Sequence, residues 1–274
     1  MRKRSIALVL TVVLLAAVVV GGWRLWQRVQ EHFTPERCTV TSSGGEPLTL
    51  TPEQSRMSAI IVAASYRADL PEQAAVIALA TAYQESGIRN LDHGDRDSLG
   101  LFQQRPDPKF DWGTAEQIMD PWYASERFYE ELVKFDGWET ADVNDQAQKV
   151  QRSGHPEAYR KHEANARALA SAARGSTPEA ITCVNFADPV ADPAPIEAVV
   201  AEVPGVQHTR EGDAIRLTAD TDAHLWSAVH LAMLNTYDAG LTAVQVGDRR
   251  WQVGWDAWRD AEAIEGATIT LGKG

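Results

Sequence analysis

One segment of this chain, residues 71–86, is apolar on almost every side of the helix that it predicts. Alanines and aliphatic residues fill its middle: Ala74, Ala75, Val76, Ile77, Ala78, Leu79, Ala80 and Ala82. A helix without a polar face must be covered all round, so it belongs at the centre of a folded body. Gly87 supplies a stop, because glycine adopts the left-handed conformation that ends many helices. The chain must therefore build a packed domain around this helix.

The flanking segments supply helices that could cover it. A capping box begins at Thr51, with proline at the first helical position, and Asp120 precedes a second proline-started helix. A last amphipathic helix ends at Gly175. These signals predict a mainly α domain over residues 38–183.

The sequence changes character after residue 183. Three prolines and two aspartates between residues 188 and 195 predict a linker over 184–195. Beyond it, a helical pattern over 225–237 lies among strand-like segments at 196–203, 214–218, 242–246, 250–255 and 267–271. Residues 196–274 are thus predicted to form a small α+β accessory domain.

The first residues predict a membrane anchor. Residues 6–22 are uncharged and almost wholly apolar and follow a basic start, and about 17–20 such residues can cross the hydrocarbon core. The alternative is a cleaved signal peptide, but no good cleavage site precedes residue 22. We therefore predict a single-pass anchor at 1–22 that contacts the membrane, a stalk at 23–37, a cytoplasmic N-terminus and an extracytoplasmic body.

Two cysteines occur, Cys38 and Cys183. In an oxidising compartment a single pair is expected to form a disulfide, and this pair brackets the predicted helical domain. The alternative is two independent buried thiols. The sequence predicts the bond.

Charge and motif content exclude several classes of function. The net charge of -12 argues against a nucleic-acid partner, which needs a basic face. His93, His155 and His162 show no zinc-ligand spacing, and no phosphate loop or dinucleotide fingerprint is present. We predict no metal and no cofactor.

A carboxylate stands at the end of the apolar helix, at Glu85. Burial disfavours its ionised form, and so does the partial negative charge at a helix C-terminus. Both effects raise the pKa, and a carboxylic acid that keeps its proton near neutral pH can protonate a glycosidic oxygen. The alternative is an exposed glutamate of the last helical turn.

The residues that follow carry a family resemblance. After Glu85, Ser86 and Gly87 comes a loop rich in glycine and aspartate, and then the run Gly100-Leu101-Phe102-Gln103. Over residues 50–175 this resembles the soluble lytic transglycosylase and goose-type lysozyme superfamily, which has a Glu-Ser pair and then a Gly-Leu-Met-Gln-like motif. In this chain Phe102 takes the place of the methionine.

The resemblance implies a lysozyme-like fold that binds peptidoglycan glycan strands and cleaves the β-1,4 bond between N-acetylmuramic acid and N-acetylglucosamine. It implies that Glu85 is the acid/base and that Ser86 beside it orients the substrate. It also implies that Gly100, Leu101, Phe102 and Gln103 line the cleft, with Gly100 allowing the glycan close to the backbone.

The third family motif, a Tyr-Asn stretch, is not present in that form. Tyr159 could supply the hydroxyl near Glu85, or it could be a core aromatic residue. Asp95 or Asp97 could activate water as the second carboxylate of an inverting hydrolase, or both could stabilise a turn. A transglycosylase needs no second carboxylate, so the sequence leaves hydrolysis and transglycosylation open.

These observations predict a membrane-anchored glycosidase, of muramidase or lytic-transglycosylase type, that remodels the wall or opens it for an envelope apparatus. The predicted fold class is a mainly α lysozyme-like domain, preceded by a transmembrane helix and followed by a small α+β domain. The C-terminal domain would contact an envelope protein. The alternative is a catalytically inactive scaffold that binds glycan without cleaving it.

Overall fold

The computed structural model describes residue 16 and residues 19–22, 36–41, 46–184 and 190–272. The chain divides into two compact units, residues 1–36 and 37–274. In the first unit, residues 16 and 19–22 are helical and exposed. The predicted anchor at 1–22 and the stalk at 23–37 fall mostly outside the described residues.

The second unit combines helices with two antiparallel sheets. Its α-helices are α1 (Pro52–Arg67), α2 (Glu72–Ser86), α3 (Ala115–Met119), α4 (Pro121–Leu132), α5 (Val143–Gln151), α6 (Glu163–Ala173), α7 (Ala194–Val200), α8 (Asp222–Leu234) and α9 (Thr236–Ala239). Its strands are β1 (Arg37–Val40), β2 (Leu48–Leu50), β3 (Ile181–Val184), β4 (Gln207–Glu211), β5 (Ala214–Thr218), β6 (Leu241–Val246), β7 (Arg249–Gln252), β8 (Arg259–Asp260) and β9 (Ala267–Leu271). The sheet orders are β2-β1-β3 and β4-β5-β9-β6-β7-β8.

The predicted fold class is wrong, because strands are not confined to residues 196–274. The two ends of the segment 38–183 pair as β1 and β3 in an antiparallel sheet. Among the described residues, moreover, no helix is both long and apolar enough to cross a membrane. Residues 37–274 form one compact unit.

Two predicted strands are confirmed and one is wrong. Strands β5 and β9 have the predicted bounds, 214–218 and 267–271. The predicted strand at 196–203 is wrong, because residues 194–200 form α7. Ile196, Val199 and Val200 are buried at the spacing of one helical face, which a short apolar run does not distinguish from a strand.

Helix α2 is confirmed as the buried centre of the helical part. Its residues 74–82 are all buried, and it packs against α1, α4, α5 and α6. Gly87 ends it in the left-handed conformation at φ 67°, where its N–H bonds the last turn. Each large aliphatic side chain that α2 buries contributes about 1.5–3 kcal/mol to the stability of the fold by leaving water. This packing holds the C-terminal end of α2 in place.

Helix α8 lies in the segment 196–274 and packs against helices of the segment 38–183. It contacts α1, α6 and α7 as well as strands of both sheets. Its Ser227 hydroxyl donates to the carbonyl of Ala173 at 2.8 Å, and His230 Nδ1 bonds the carbonyl of Ala172 at 2.7 Å. These bonds satisfy carbonyls at the end of α6 that a helix leaves open. The boundaries proposed at 183 and 196 stay a prediction.

The disulfide is confirmed. Cys38 and Cys183 are bonded, face each other across β1 and β3, and are fully buried. Their separation in the chain is 145 residues. The bond therefore encloses α1 to α6 in one covalent loop.

We expect the stability of the fold to decrease in acid because of His230. Burial lowers its pKa to about 4, whereas an unfolded histidine titrates near 6.5. The folded state thus favours neutral imidazole, and its contribution is complete above about pH 6.5. It is lost as the pH falls from about 6.5 to about 4, with a total near 3 kcal/mol. Urea unfolding at pH 7.5 and 4.5 measures this loss.

The control for this prediction is His230→Asn, whose amide can still donate to the carbonyl of Ala172. This variant removes the titrating group, so its unfolding free energy should decrease less between the two pH values. Equal decreases in the parent and the variant would show that other groups cause the acid sensitivity.

Candidate active site

Glu85 lies in the last turn of α2 and borders an open cleft. The side chain is partly buried. The cleft has a volume of about 330 Å³ and is lined by Glu85, Gln103, Gln104, Arg105, Lys109, Phe110, Trp112, Glu131, Val150, Gln151, Arg152 and Ser153. The predicted acid is therefore neither fully exposed nor closed off from a ligand.

Two side chains from distant parts of the chain hold the Glu85 carboxyl group. The hydroxyl of Tyr159 donates to Oε1 of Glu85 at 2.7 Å, and the nearby amide of Gln151 favours the ionised carboxyl group. Burial raises the pKa of Glu85, while these two side chains oppose the rise. The pKa of Glu85 is raised overall, as expected for a carboxyl group at the end of an apolar helix.

Tyr159 is both a buried aromatic residue and a partner of Glu85. Its side chain is fully buried. Burial, and then the nearby Glu85 carboxylate, raise the pKa of the phenol well above its usual range. Tyr159 therefore stays protonated and acts as a hydrogen-bond donor rather than as a base.

Gln151 was not among the predicted site residues. It lies at the end of α5, and its Nε2 also donates to the carbonyl of Phe102 at 2.7 Å. The amide thus connects Glu85 to the second motif. No local sequence signal distinguishes it from the other glutamines of α5, because the contact joins segments that are far apart in the chain.

The second motif supports the cleft more than it lines it. Leu99 and Gln104 exchange two backbone hydrogen bonds, of 2.9 and 3.0 Å, which close a tight turn between them. Inside this turn, Leu101 and Phe102 are fully buried, and Phe102 stacks on Phe128 with ring centroids 4.7 Å apart. Their side chains belong to the core, and the structure does not bring them into the cleft.

Ser86 and Gly100 are also packed against other parts of the protein and are not among the residues that line the cleft. The Ser86 hydroxyl is buried and donates to the carbonyl of Leu101 at 2.8 Å, which ties the end of α2 to the second motif. Gly100 has φ 76°, and an added Cβ would lie 2.6 Å from the carbonyl oxygen of Ile118. The glycine is needed because the chain itself approaches closely. Of the second-motif residues predicted to bind substrate, the cleft receives Gln103.

Asp95 and Asp97 lie in an exposed 3-10 turn and are not among the residues that line the cleft. Asp95 faces Arg96 at 3.7 Å with 91% of its side chain exposed. This placement agrees with the alternative in which these aspartates shape a loop.

Glu131, which was not predicted as a site residue, lines the cleft together with Glu85. It lies on α4 and forms ion pairs with Lys134 at 2.6 Å and Arg152 at 3.4 Å. In the sequence it follows Glu130, and both look like charges on the outer face of a helix. Only the packing of α4 and α5 shows that Glu131 borders the cleft.

Aromatic and basic residues complete the rim. Trp112 and Phe110 line the cleft, whereas Trp122 packs beneath the guanidinium of Arg67 at 4.1 Å. Within the described ranges, no group of three or more His, Cys, Asp or Glu side chains is arranged to hold a metal ion. The cleft thus brings two carboxyl residues, Glu85 and Glu131, close to the aromatic side chains of Phe110 and Trp112.

Comparisons with known proteins assign no family to this chain. No family model matches it, and no curated protein matches it significantly.

We expect Tyr159→Phe to change the pH dependence of any activity that needs protonated Glu85. The variant removes a hydrogen bond to the carboxylate, so the pKa of Glu85 should rise further and the basic limb of the pH–rate profile should move to higher pH. Loss of one positioning bond, worth about 1 kcal/mol, should also lower the maximal rate by roughly five- to tenfold. Rates of fragment release from pH 4 to 9 measure both effects.

The matched control is Tyr129→Phe. Tyr129 is another buried tyrosine, but its hydroxyl donates to the carbonyl of Ile61 at 2.8 Å. This variant should lose stability without moving the pH profile. A profile that stays the same in Tyr159→Phe would contradict the assigned role of Tyr159.

Proposed function

We propose that this chain cleaves peptidoglycan glycan strands at the β-1,4 bond between N-acetylmuramic acid and N-acetylglucosamine. The observation that supports this proposal best is the state of Glu85. It is a carboxyl group with a raised pKa, fixed by the hydroxyl of Tyr159 and bordering an open cleft. The resemblance of the Glu85-Ser86 and Gly100–Gln103 motifs to lytic transglycosylases and goose-type lysozymes suggests the substrate.

The first step in this proposal is proton transfer. Glu85 in its acid form donates a proton to the glycosidic oxygen as the bond to the sugar breaks. The resulting carboxylate is stabilised where it lies by the hydrogen bond from Tyr159 and by the nearby amide of Gln151. The bond from Tyr159 also positions the carboxyl group, and this positioning lowers the barrier.

The second step can follow one of two routes. In hydrolysis, a second carboxyl residue of the cleft activates water, and Glu131 is the described carboxyl residue that lines the cleft with Glu85. In transglycosylation, the Glu85 carboxylate takes the proton of the muramic acid 6-hydroxyl, which then closes an anhydro ring. The first route leaves a reducing end and the second leaves an anhydro end.

Product analysis tests the proposal. The purified full chain is incubated with purified peptidoglycan, and the soluble fraction is examined by mass spectrometry. Release of disaccharide–peptide fragments is the expected result, and their ends identify the route. Binding to peptidoglycan without fragment release would instead favour the inactive scaffold, and neither binding nor release would reject both functions.

The compartment is part of this proposal. A buried disulfide that joins β1 to β3 is typical of proteins that fold in an oxidising environment. Peptidoglycan also lies outside the cytoplasm, so both considerations favour an extracytoplasmic body. The envelope-protein partner expected for residues 196–274 stays a prediction.

A further inference from the structure

The loop of residues 105–111 places two cations on the wall of the cleft. Arg105 and Lys109 line the cleft together with Glu85, and so does the ring of Phe110. The centre of this ring lies 5.2 Å from the guanidinium carbon of Arg105 and 5.7 Å from Nζ of Lys109. Cations within about 6 Å of an aromatic ring are attracted to it. Phe110 therefore holds both positive charges at one place on the cleft wall.

In the part of the chain that the structure describes, neither cation has a carboxylate partner. The same loop contains two acids, but Asp107 accepts the backbone N–H of Lys109 at 2.9 Å, and Asp111 pairs with Arg127 at 3.0 Å. Neither aspartate is among the residues that line the cleft. Nε of Arg105 bonds a backbone carbonyl at 3.0 Å, which leaves the other N–H groups of its guanidinium available.

The third cation of the cleft, Arg152, differs in this respect because it pairs with Glu131 at 3.4 Å. Arg105 and Lys109 thus provide unpaired positive charge in a chain whose net charge is -12. A cleft wall with charge of one sign concentrates the electric field and attracts ligands of the opposite sign. The ligand expected beside these two side chains is therefore an anion.

A carboxylate matches a guanidinium and an ammonium group that lie side by side, because its two oxygens accept charge-assisted hydrogen bonds from both. We infer that Arg105 and Lys109 form an anion subsite that binds a carboxylate on the side group of a glycan lying against Glu85. This inference rests on the proposed function, whose substrate carries carboxylates either on the lactyl group of muramic acid or on the peptide attached to it. Both residues follow the second motif, so the family resemblance does not predict them as binding residues.

Binding of matched acids and amides tests this subsite. The full chain with Glu85→Gln, which cannot protonate a leaving group, is titrated calorimetrically with tetrasaccharides of alternating N-acetylglucosamine and N-acetylmuramic acid. In one pair of ligands the lactyl groups are free acids or carboxamides. In the other pair each lactyl group carries the dipeptide L-alanyl-D-glutamate, as the acid or with both carboxylates amidated. Each pair matches in size and differs in charge.

We expect an acid to bind about fivefold more tightly than its amide at low salt, which corresponds to about 1 kcal/mol and is the order of magnitude of exposed ion pairs. The preference should decrease in about 0.5 M salt, because salt screens exposed charges. A preference in the first pair identifies the lactyl carboxylate as the ligand group, and a preference in the second pair identifies the peptide.

Two double variants in the same background examine the cations. Arg105→Gln with Lys109→Gln should bring the affinities for acid and amide within about twofold of each other. Arg105→Lys with Lys109→Arg keeps both charges in the loop and should keep the preference. Because the two variants change the same positions, a difference between them reports the charge rather than the packing of the loop.

The matched control is Arg250→Gln with Arg259→Gln. These arginines face each other across β7 and β8, are exposed, and are not among the residues that line the cleft. The control removes the same amount of charge at a distance from the subsite, so it should leave the preference unchanged. Thermal unfolding of all variants checks the fold.

The inference is overturned if acids and amides bind the Glu85→Gln chain equally or not at all. It is also overturned if the preference survives the double glutamine change in the loop, or if the Arg250 and Arg259 control abolishes the preference as well. Fragment release from peptidoglycan by the parent chain is measured in parallel. Cleavage without a preference for the acids overturns this inference and leaves the proposed function standing. A preference that depends on Arg105 and Lys109, without cleavage, supports the subsite and rejects the proposed function.

Discussion

Glu85→Gln is expected to reduce the release of soluble fragments from peptidoglycan about a thousandfold, because a positioned general acid contributes a factor of roughly 10²–10⁴ to such reactions. Glutamine has nearly the same shape and can still accept the hydrogen bond from Tyr159, but it has no proton to donate. The change therefore removes the chemistry and keeps the packing. Initial rates of fragment release, compared with those of the parent chain, measure the loss.

Stability measurements distinguish this loss from unfolding. The folded state raises the pKa of Glu85, so it prefers the protonated carboxyl group. Above the ordinary glutamate pKa, ionisation of Glu85 therefore destabilises the fold, and a neutral glutamine should be at least as stable as the parent at pH 7. Such a gain in stability with a loss of activity is common at functional sites.

Glu72→Gln is a matched control for this experiment. Glu72 lies at the other end of α2 and accepts a hydrogen bond from Ser176 at 3.1 Å. The substitution makes the same change of charge on the same helix, away from the cleft. It should keep most of the activity. Parent-like activity in folded Glu85→Gln would refute the role of Glu85 and, with it, the proposed mechanism.

Removal of the disulfide is expected to have the largest effect on stability. Substituting serine at both Cys38 and Cys183 frees a loop of 145 residues, and loop-closure entropy gives an upper figure of about 5 kcal/mol for such a loop. In a unit of this size, a loss of 3–5 kcal/mol corresponds to a Tm lower by about 10 °C or more. Urea unfolding at pH 7 and thermal unfolding measure the difference.

The adjacent register pair provides the control. Thr39 and Thr182 face each other across the same two strands, one position from the cysteines. Serine at both positions changes two side chains of this sheet without changing the covalent loop, so the cost should be about 1 kcal/mol or less. If the cysteine and threonine double variants lose similar stability, local packing rather than chain connectivity explains the contribution of the disulfide.

The parts of the fold predicted well depend on short-range patterns. The bounds of α2, the stop at Gly87 and strands β5 and β9 follow from spacing, glycine conformation and alternation within a few residues. One error is local, because the short apolar run at 196–203 was predicted as a strand and forms α7. The other error concerns longer distances. The pairing of β1 with β3 joins residues that no local pattern connects, so a sheet was missed.

For the candidate site, the sequence alone determined that a carboxyl group ends a buried helix and that its pKa is raised, because helix periodicity and apolar composition act locally on Glu85. Only the tertiary structure decided what surrounds that group. Tyr159 reaches Glu85 from the segment between α5 and α6, Gln151 lies at the end of α5, and Glu131 borders the cleft in place of Asp95 and Asp97. The physical reason is that a hydrogen bond or a cleft wall depends on where whole elements pack, and that position is set by the sum of contacts over the entire core.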